Sequence, residues 1–273
     1  MSSKVYEVAG TTLHVDDTGE ADLSPVVCLH SLFLDNTMFD ALVEAGRGRH
    51  RFIRPEFRGQ GRSGAAGTDI VTMEQAAGDI AALLDAMGIS GAQVIASSMG
   101  GDVAARLAAY RPDLVSSLVM LGSSVRSEPA EKVDEYVAWA TDATERGFRD
   151  DRLEFLQGVM FGASTLADPA KREVVDHWSQ RMSELSAAEL PAMVGVMRRG
   201  DASDLLPHLD VPALVISGEE CPVRPPDWAA ALAGGLPNAE LVMVPRCGHS
   251  PLLEWPELVT PRVLDFLSAQ EGP

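Results

Sequence analysis

The segment Val94-Ile-Ala-Ser-Ser-Met-Gly-Gly101 runs an apolar stretch into Ser98 and then into a helical pattern from Asp102 to Tyr110. A serine hydroxyl at a sharp strand-to-helix turn can act as a nucleophile once a general base takes its proton. Such a turn strains the serine backbone, so the residues two before and two after must be small. Here they are Ala96 and Gly100, with Ala in place of the commoner first Gly. A base is available in Pro245-Arg-Cys-Gly-His-Ser-Pro251, which places His249 on a loop near the C-terminus. The order of serine first and histidine last fits a triad whose acid lies between them. A third segment, Val27-Cys-Leu-His-Ser-Leu-Phe-Leu-Asp35, ends a strand at His30 and Ser31. Its loop can turn the Leu32 N–H toward a reacting carbonyl oxygen, paired with the N–H of Met99 as an oxyanion hole.

These residues need a scaffold, and the apolar periodicity supplies one. Short β-rich runs alternate with helical patterns, the signature of a mostly parallel sheet flanked by helices. Val5–Val8 and Thr12–Val15 read as a hairpin around Ala9-Gly10-Thr11. Pro25–His30, Arg51–Arg54, Ala92–Ala96 and Leu118–Leu121 read as core strands. Thr72–Met87 places Met73, Ala76, Ala77, Ile80, Leu83, Leu84 and Met87 at helical spacing, with Gly88 as its stop. From Glu128 to about Gly200 no strand pattern appears. Helical patterns broken by Gly147, Pro169 and Pro191 fill that interval. Strands return at Val211–Ile216 and Glu240–Val244, with helices near Pro226–Ala233 and over Leu252–Leu267. The expected organisation is an α/β core over residues 1–124, a helical cap over 125–205 and the rest of the core over 206–273.

Composition narrows the function classes. The 273 residues carry 22 Lys and Arg against 40 Asp and Glu, a net charge of −18, with 46% apolar residues. Enough apolar surface is present for a large core, and the charge opposes nucleic-acid binding. Only Arg47, Arg49, Arg51 and Arg54 cluster at all. No stretch approaches the ~18 apolar residues of a membrane span, and Met1–Gly10 lacks a signal-peptide core. Cys28, Cys221 and Cys247 match neither a redox pair nor a zinc site, so no metal is expected. The reading is a cytoplasmic monomer or homodimer acting on a small molecule, without nucleic-acid or membrane partners.

The chain resembles the α/β-hydrolase superfamily, most closely its 3-oxoadipate enol-lactonase and esterase group. The resemblance rests on the His30-Ser31 loop, Arg58-Gly-Gln-Gly-Arg-Ser63, Ser98-Met-Gly-Gly101, Leu214-Val-Ile-Ser-Gly218, and Gly248-His-Ser-Pro with Glu254 and Pro256. It implies an α/β-hydrolase fold with a helical cap and a cofactor-free hydrolase of esters or lactones. Ser98 would be the nucleophile, His249 the base, and Leu32 and Met99 the oxyanion donors. Carbon–carbon bond hydrolysis of a vinylogous diketone, or ligand binding with weak catalysis, are the alternatives.

The acid departs from this pattern. Relatives carry Gly-x-x-Asp after the penultimate strand, whereas this chain reads Gly218-Glu-Glu-Cys221. Losing that acid costs about 10⁴-fold in related triads, roughly 5 kcal/mol of barrier. Glu220 is the first candidate to replace it, ahead of Glu219 and of a Cys221 thiolate paired with protonated His249. Gly122–Arg126 offers no carboxylate before Glu128. Glu56 and Gln60 are milder departures from an Asp and a His. Cap residues Trp178, Met182 and Met197, with His30 and Ser31 beneath, form the expected pocket, although such side chains at helical spacing are more often core. Arg198 and Arg199 read as a solvated helix end, and Asp102 as a helix-dipole partner.

Overall fold

The structure is a computed structural model that describes residues 2–271. The chain opens with a hairpin, β1 (Ser2–Val8) and β2 (Thr11–Asp17), turning at Ala9 and Gly10, both of which have positive φ. Next come β3 (Pro25–Leu29), α1 (Asp40–Gly46), β4 (Arg51–Pro55) and α2 (Met73–Met87). Thr72 caps α2 by accepting from Gln75 N–H, and Gly88 ends it in the left-handed region. Then β5 (Ala92–Ser97), α3 (Met99–Tyr110) and β6 (Val115–Leu121) complete the first half of the sheet.

Five helices separate β6 from the next strand: α4 (Ala130–Arg146), α5 (Asp150–Met160), α6 (Ala163–Ala167), α7 (Arg172–Ser183) and α8 (Leu190–Met197). Gly147, at φ 86°, ends α4, whereas Pro191 lies in the first turn of α8 rather than breaking a helix. Proline is tolerated there because the first N–H groups have no intrahelical partner. The sheet resumes with β7 (Ala213–Gly218), α9 (Pro226–Gly235) and β8 (Ala239–Val244). Two helices follow, α10 (Pro251–Glu254) and α11 (Pro256–Gln270), where the sequence pattern predicts one. Pro256 accounts for the break, since it disfavours helical geometry at Trp255, which sits at φ −135°, ψ 56°.

The sheet order is β1-β2-β4-β3-β5-β6-β7-β8. β1–β2 and β2–β4 pair antiparallel and the remaining neighbours parallel. The central strands β3, β5, β6 and β7 are buried on both faces, as their unbroken apolar runs require. Because β3, β5, β6 and β7 all run the same way, their C-terminal ends gather on one edge, and the loops from those ends build the site. Among the described residues no helix is long and apolar enough to cross a membrane.

Candidate active site

Ser98 leaves β5 at φ 50°, ψ −111°, a backbone conformation that a non-glycine residue adopts only when its surroundings enforce it. Enforcement comes from hydrogen bonds on both sides. Ser98 N–H donates to Leu121 O of β6 at 2.9 Å, and Gly101 N–H donates back to Ser98 O at 3.0 Å. Steric fit also demands Gly100, because a Cβ there would stand 2.3 Å from Leu29 O. At this turn β3 and α3 therefore pack too closely for any side chain at position 100.

His249 comes from the loop between β8 and α10 and is 3% exposed. Its Nε2 lies 2.8 Å from Ser98 Oγ, within proton-transfer reach. Its Nδ1 lies 3.2 Å from Cys221 Sγ, in the turn after β7. Sγ also accepts the Arg224 backbone N–H at 3.3 Å. Glu220, the carboxylate expected at this position, faces elsewhere: Ser164 donates to it from both N (2.8 Å) and Oγ (2.5 Å) in α6. Glu219 is exposed. The two glutamates diverge because Glu219 N–H bonds Val244 O and Glu220 N–H bonds Cys247 O, and the tight turn presents only residue 221 to the imidazole.

Burial sets the charges of this pair. Desolvation, followed by the positive charges of Arg224 and Arg199, pushes the His249 pKa down to about 3. Desolvation also pushes the Cys221 thiol up to about 11, against weaker lowering by the Arg224 and Val223 backbone and the Arg224 charge. Both shifts favour neutral forms, which opposes a thiolate–imidazolium pair.

Leu32 lies on the loop that follows β3. Leu34 N–H donates to Ser31 O at 3.3 Å and Phe33 takes φ 67°, so the chain doubles back at Leu32. Met99 heads α3, where an N–H has no intrahelical acceptor. Gln60 Nε2 reaches Met99 Sδ at 3.8 Å. Glu56 is buried and accepts Arg62 Nη2 at 2.9 Å.

A cavity of about 960 Å³ opens above Ser98 and His249. Of the expected pocket residues Ser31 and Met197 line it, together with Leu32, whereas His30, Trp178 and Met182 do not. His30 lies beneath the loop, where Nδ1 donates to Ser31 O at 2.8 Å and Nε2 accepts Phe57 N–H at 3.2 Å. Trp178 and Met182 are buried in the hydrophobic core, satisfying their apolar spacing by packing. The wall is instead built by Phe33, Trp139, Phe155 and Met160, with Arg224 and Glu128 as charged groups. Trp139 stacks edge-on to Phe33 and Phe148.

Arg199 is not solvated. Its side chain is 1% exposed, pairing with Glu128 at 2.7 Å and Asp102 at 3.1 Å, while Arg198 stays outside near Asp134. Arg224 meets the same Glu128 at 2.9 Å, and Asp102 also pairs with Arg106. Asp102 therefore has specific partners beyond the helix dipole. This buried chain links the first turn of α3 to the Cys221 turn, and separated sequence positions gave no signal of it. Among the described residues no three His, Cys, Asp or Glu side chains converge as metal ligands.

Comparison with known proteins agrees with this architecture. The chain is 29% identical over 276 residues to a 2-hydroxy-6-oxononadienedioate/2-hydroxy-6-oxononatrienedioate hydrolase of Paraburkholderia phymatum, covering 94% of this chain and 92% of that protein. Its fold superposes on a thermophilic esterase from Thermogutta terrifontis at a TM-score of 0.88 and 28% identity, covering all of both chains. The enol-lactonase from Burkholderia xenovorans follows at 0.85 and 26%, covering 97% of this chain and 100% of that one. Since residues 24–256 match the family described by the alpha/beta hydrolase fold, and strand order, elbow and histidine loop accord with it, the chain belongs to the α/β-hydrolase family.

Proposed function

We propose that the chain hydrolyses a carboxylic ester or lactone of a small to medium apolar molecule through an acyl-enzyme on Ser98. The observation that carries this reading is the 2.8 Å approach of His249 Nε2 to Ser98 Oγ beneath a largely apolar cavity. Ser98 Oγ attacks the carbonyl carbon as Nε2 takes its proton, and the N–H groups of Leu32 and Met99 hold the oxyanion. The tetrahedral adduct collapses, and Nε2 returns the proton to the departing alkoxide. Water then attacks the acyl-enzyme with Nε2 again as base, which releases the acid and restores Ser98. Cys221 is the acceptor for Nδ1–H during this cycle, and the helices over 125–205 serve as the cap. Likeness to an esterase and an enol-lactonase supports the ester and lactone class.

Treatment with a fluorophosphonate followed by intact-mass measurement tests the nucleophile. One adduct is expected on the wild-type chain and none on Ser98→Ala. A folded wild-type chain that stays unlabelled would exclude the covalent mechanism. The relative named as a 2-hydroxy-6-oxononadienedioate/2-hydroxy-6-oxononatrienedioate hydrolase supports a second reading, carbon–carbon bond hydrolysis of a vinylogous diketone, to be assayed beside aryl esters and lactones. The neutral thiol at His249 supports a third reading, ligand binding with weak turnover. That reading prevails if no substrate in the panel exceeds the Ser98→Ala rate while ligands raise the melting temperature.

A further inference from the structure

Glu254 is 0% exposed, and the partners of its carboxylate are hydrogen-bond donors of the backbone and a hydroxyl. A buried carboxylate must be satisfied by such donors, and four groups converge on this one. Oε1 accepts Gly248 N–H and Ser250 N–H, both at 3.0 Å. Oε2 accepts Gly162 N–H at 2.8 Å, Gly248 N–H at 2.9 Å and the Thr165 hydroxyl at 2.6 Å. Two of these donors are the residues on either side of His249. The other two belong to the segment that leads into and forms α6, between β6 and β7.

Backbone packing joins the same two segments. A Cβ on Gly248 would stand 2.0 Å from Gly162 N, so the loops touch main chain to main chain. Glu220 makes a parallel link, accepting Ser164 N–H at 2.8 Å while its own N–H donates to Cys247 O at 2.8 Å.

We propose that Glu254 is a positioning residue, whose carboxylate fixes the imidazole of His249 through the N–H groups of Gly248 and Ser250 and makes that setting depend on the docking of residues 162–165. The inference rests on His249 acting as the base toward Ser98. An imidazole must stay aligned with Oγ through two proton transfers, and displacement of about 1 Å in such a constellation costs on the order of 10²-fold in rate. A glutamine at 254 would turn an amide N–H₂ toward donors and leave at least one N–H unmet.

The test compares Glu254→Gln and Glu254→Asp with wild type in aryl-ester turnover, Ser98 phosphonylation rate and hydrogen–deuterium exchange. Expected for Glu254→Gln is a fall in kcat of about 10²-fold with KM within threefold, and an equal slowing of phosphonylation per folded molecule. Glu254→Asp, which keeps an acceptor, should recover part of that loss. Exchange should rise together in peptides covering 160–166 and 246–252. A wild-type kcat in folded Glu254→Gln, a loss confined to KM, or a rise in exchange restricted to one of the two peptides would overturn the proposal. If Glu254→Gln does not fold, Glu254→Asp decides alone: a lowered kcat at constant KM supports it and an unchanged kcat overturns it. The exchange measurement needs no substrate, so it separates failure of this clamp from failure of the hydrolase reading, which the wild-type phosphonylation reports.

Discussion

Cys221 Sγ lies 3.2 Å from His249 Nδ1, where an ionised carboxylate could only accept a hydrogen bond. A thiol both donates and accepts weakly, so two tautomers satisfy the contact. With Nδ1–H donated to sulfur, Nε2 is free to take the Ser98 proton. With S–H donated to Nδ1, the proton sits on Nε2 and the base is blocked. An ionised aspartate excludes the second arrangement and stabilises the imidazolium as it forms. Cys221 does neither, and the Arg224 and Arg199 charges further disfavour the imidazolium.

Replacing Cys221 with Asp should therefore increase ester turnover. The expected gain in kcat is about 10²-fold or more, bounded by the ~10⁴-fold that separates triads with and without the acid. Steady-state hydrolysis of an aryl ester by Cys221→Asp, with phosphonylation rates as a second readout, measures it. An unchanged or lower kcat in a folded variant would mean that the thiol already serves this scaffold.

Glu220→Gln should leave kcat within about twofold of wild type, because the Glu220 carboxylate is committed to Ser164 rather than His249. Because Glu254 still holds Gly162 and Thr165 against the histidine loop in this variant, the effect is confined to stability, read as a lower melting temperature. Orders-of-magnitude loss in kcat would show that Glu220 swings into the site during turnover.

Much of this architecture could be read from the sequence because local patterns specify it. The strand runs, the cap and stop of α2, and the small residues around Ser98 are short-range constraints that adjacent residue types express directly. Position 221 was legible as a departure, but which side chain of Glu219, Glu220 and Cys221 meets the imidazole depends on two backbone bonds to β8 and the histidine loop. The cavity wall was less legible. Trp139 and Trp178 look alike as helical apolar positions, and only the packing of α4 against the loop after β3 puts Trp139 beside Phe33. Arg199 looked like a surface residue because its partners Asp102 and Glu128 lie 97 and 71 positions away.

Gly100→Ala should disrupt the elbow. Its Cβ would press against Leu29 O at 2.3 Å, and that atom belongs to a central strand with no freedom to move. A loss of roughly 1–3 kcal/mol is expected for such overpacking, outweighing the better helix propensity of alanine. Urea denaturation of the variant reports it. Stability equal to wild type would mean that β3 and α3 can separate.

The pH dependence follows from the depressed pKa of His249. Because burial, then Arg224 and Arg199, holds it down near 3, the base is neutral in the free enzyme throughout the range above about pH 4. The acid limb of kcat/KM should therefore lie near 3 instead of near the ordinary value of 6.5. Arg224→Gln removes one of the two cations and should move that limb upward, though not to 6.5 while burial persists. A wild-type limb near 6.5 would place His249 in a wetter setting than its 3% exposure implies. The same shift acts on stability. The unfolded chain protonates His249 below about 6.5 while the folded chain does not, so falling pH favours unfolding from 6.5 down to about 3. Urea midpoints at pH 7.0 and 5.0, above most carboxylate titration, should differ less in His249→Asn than in wild type. An equal difference in the two proteins would show that His249 titrates alike in both states.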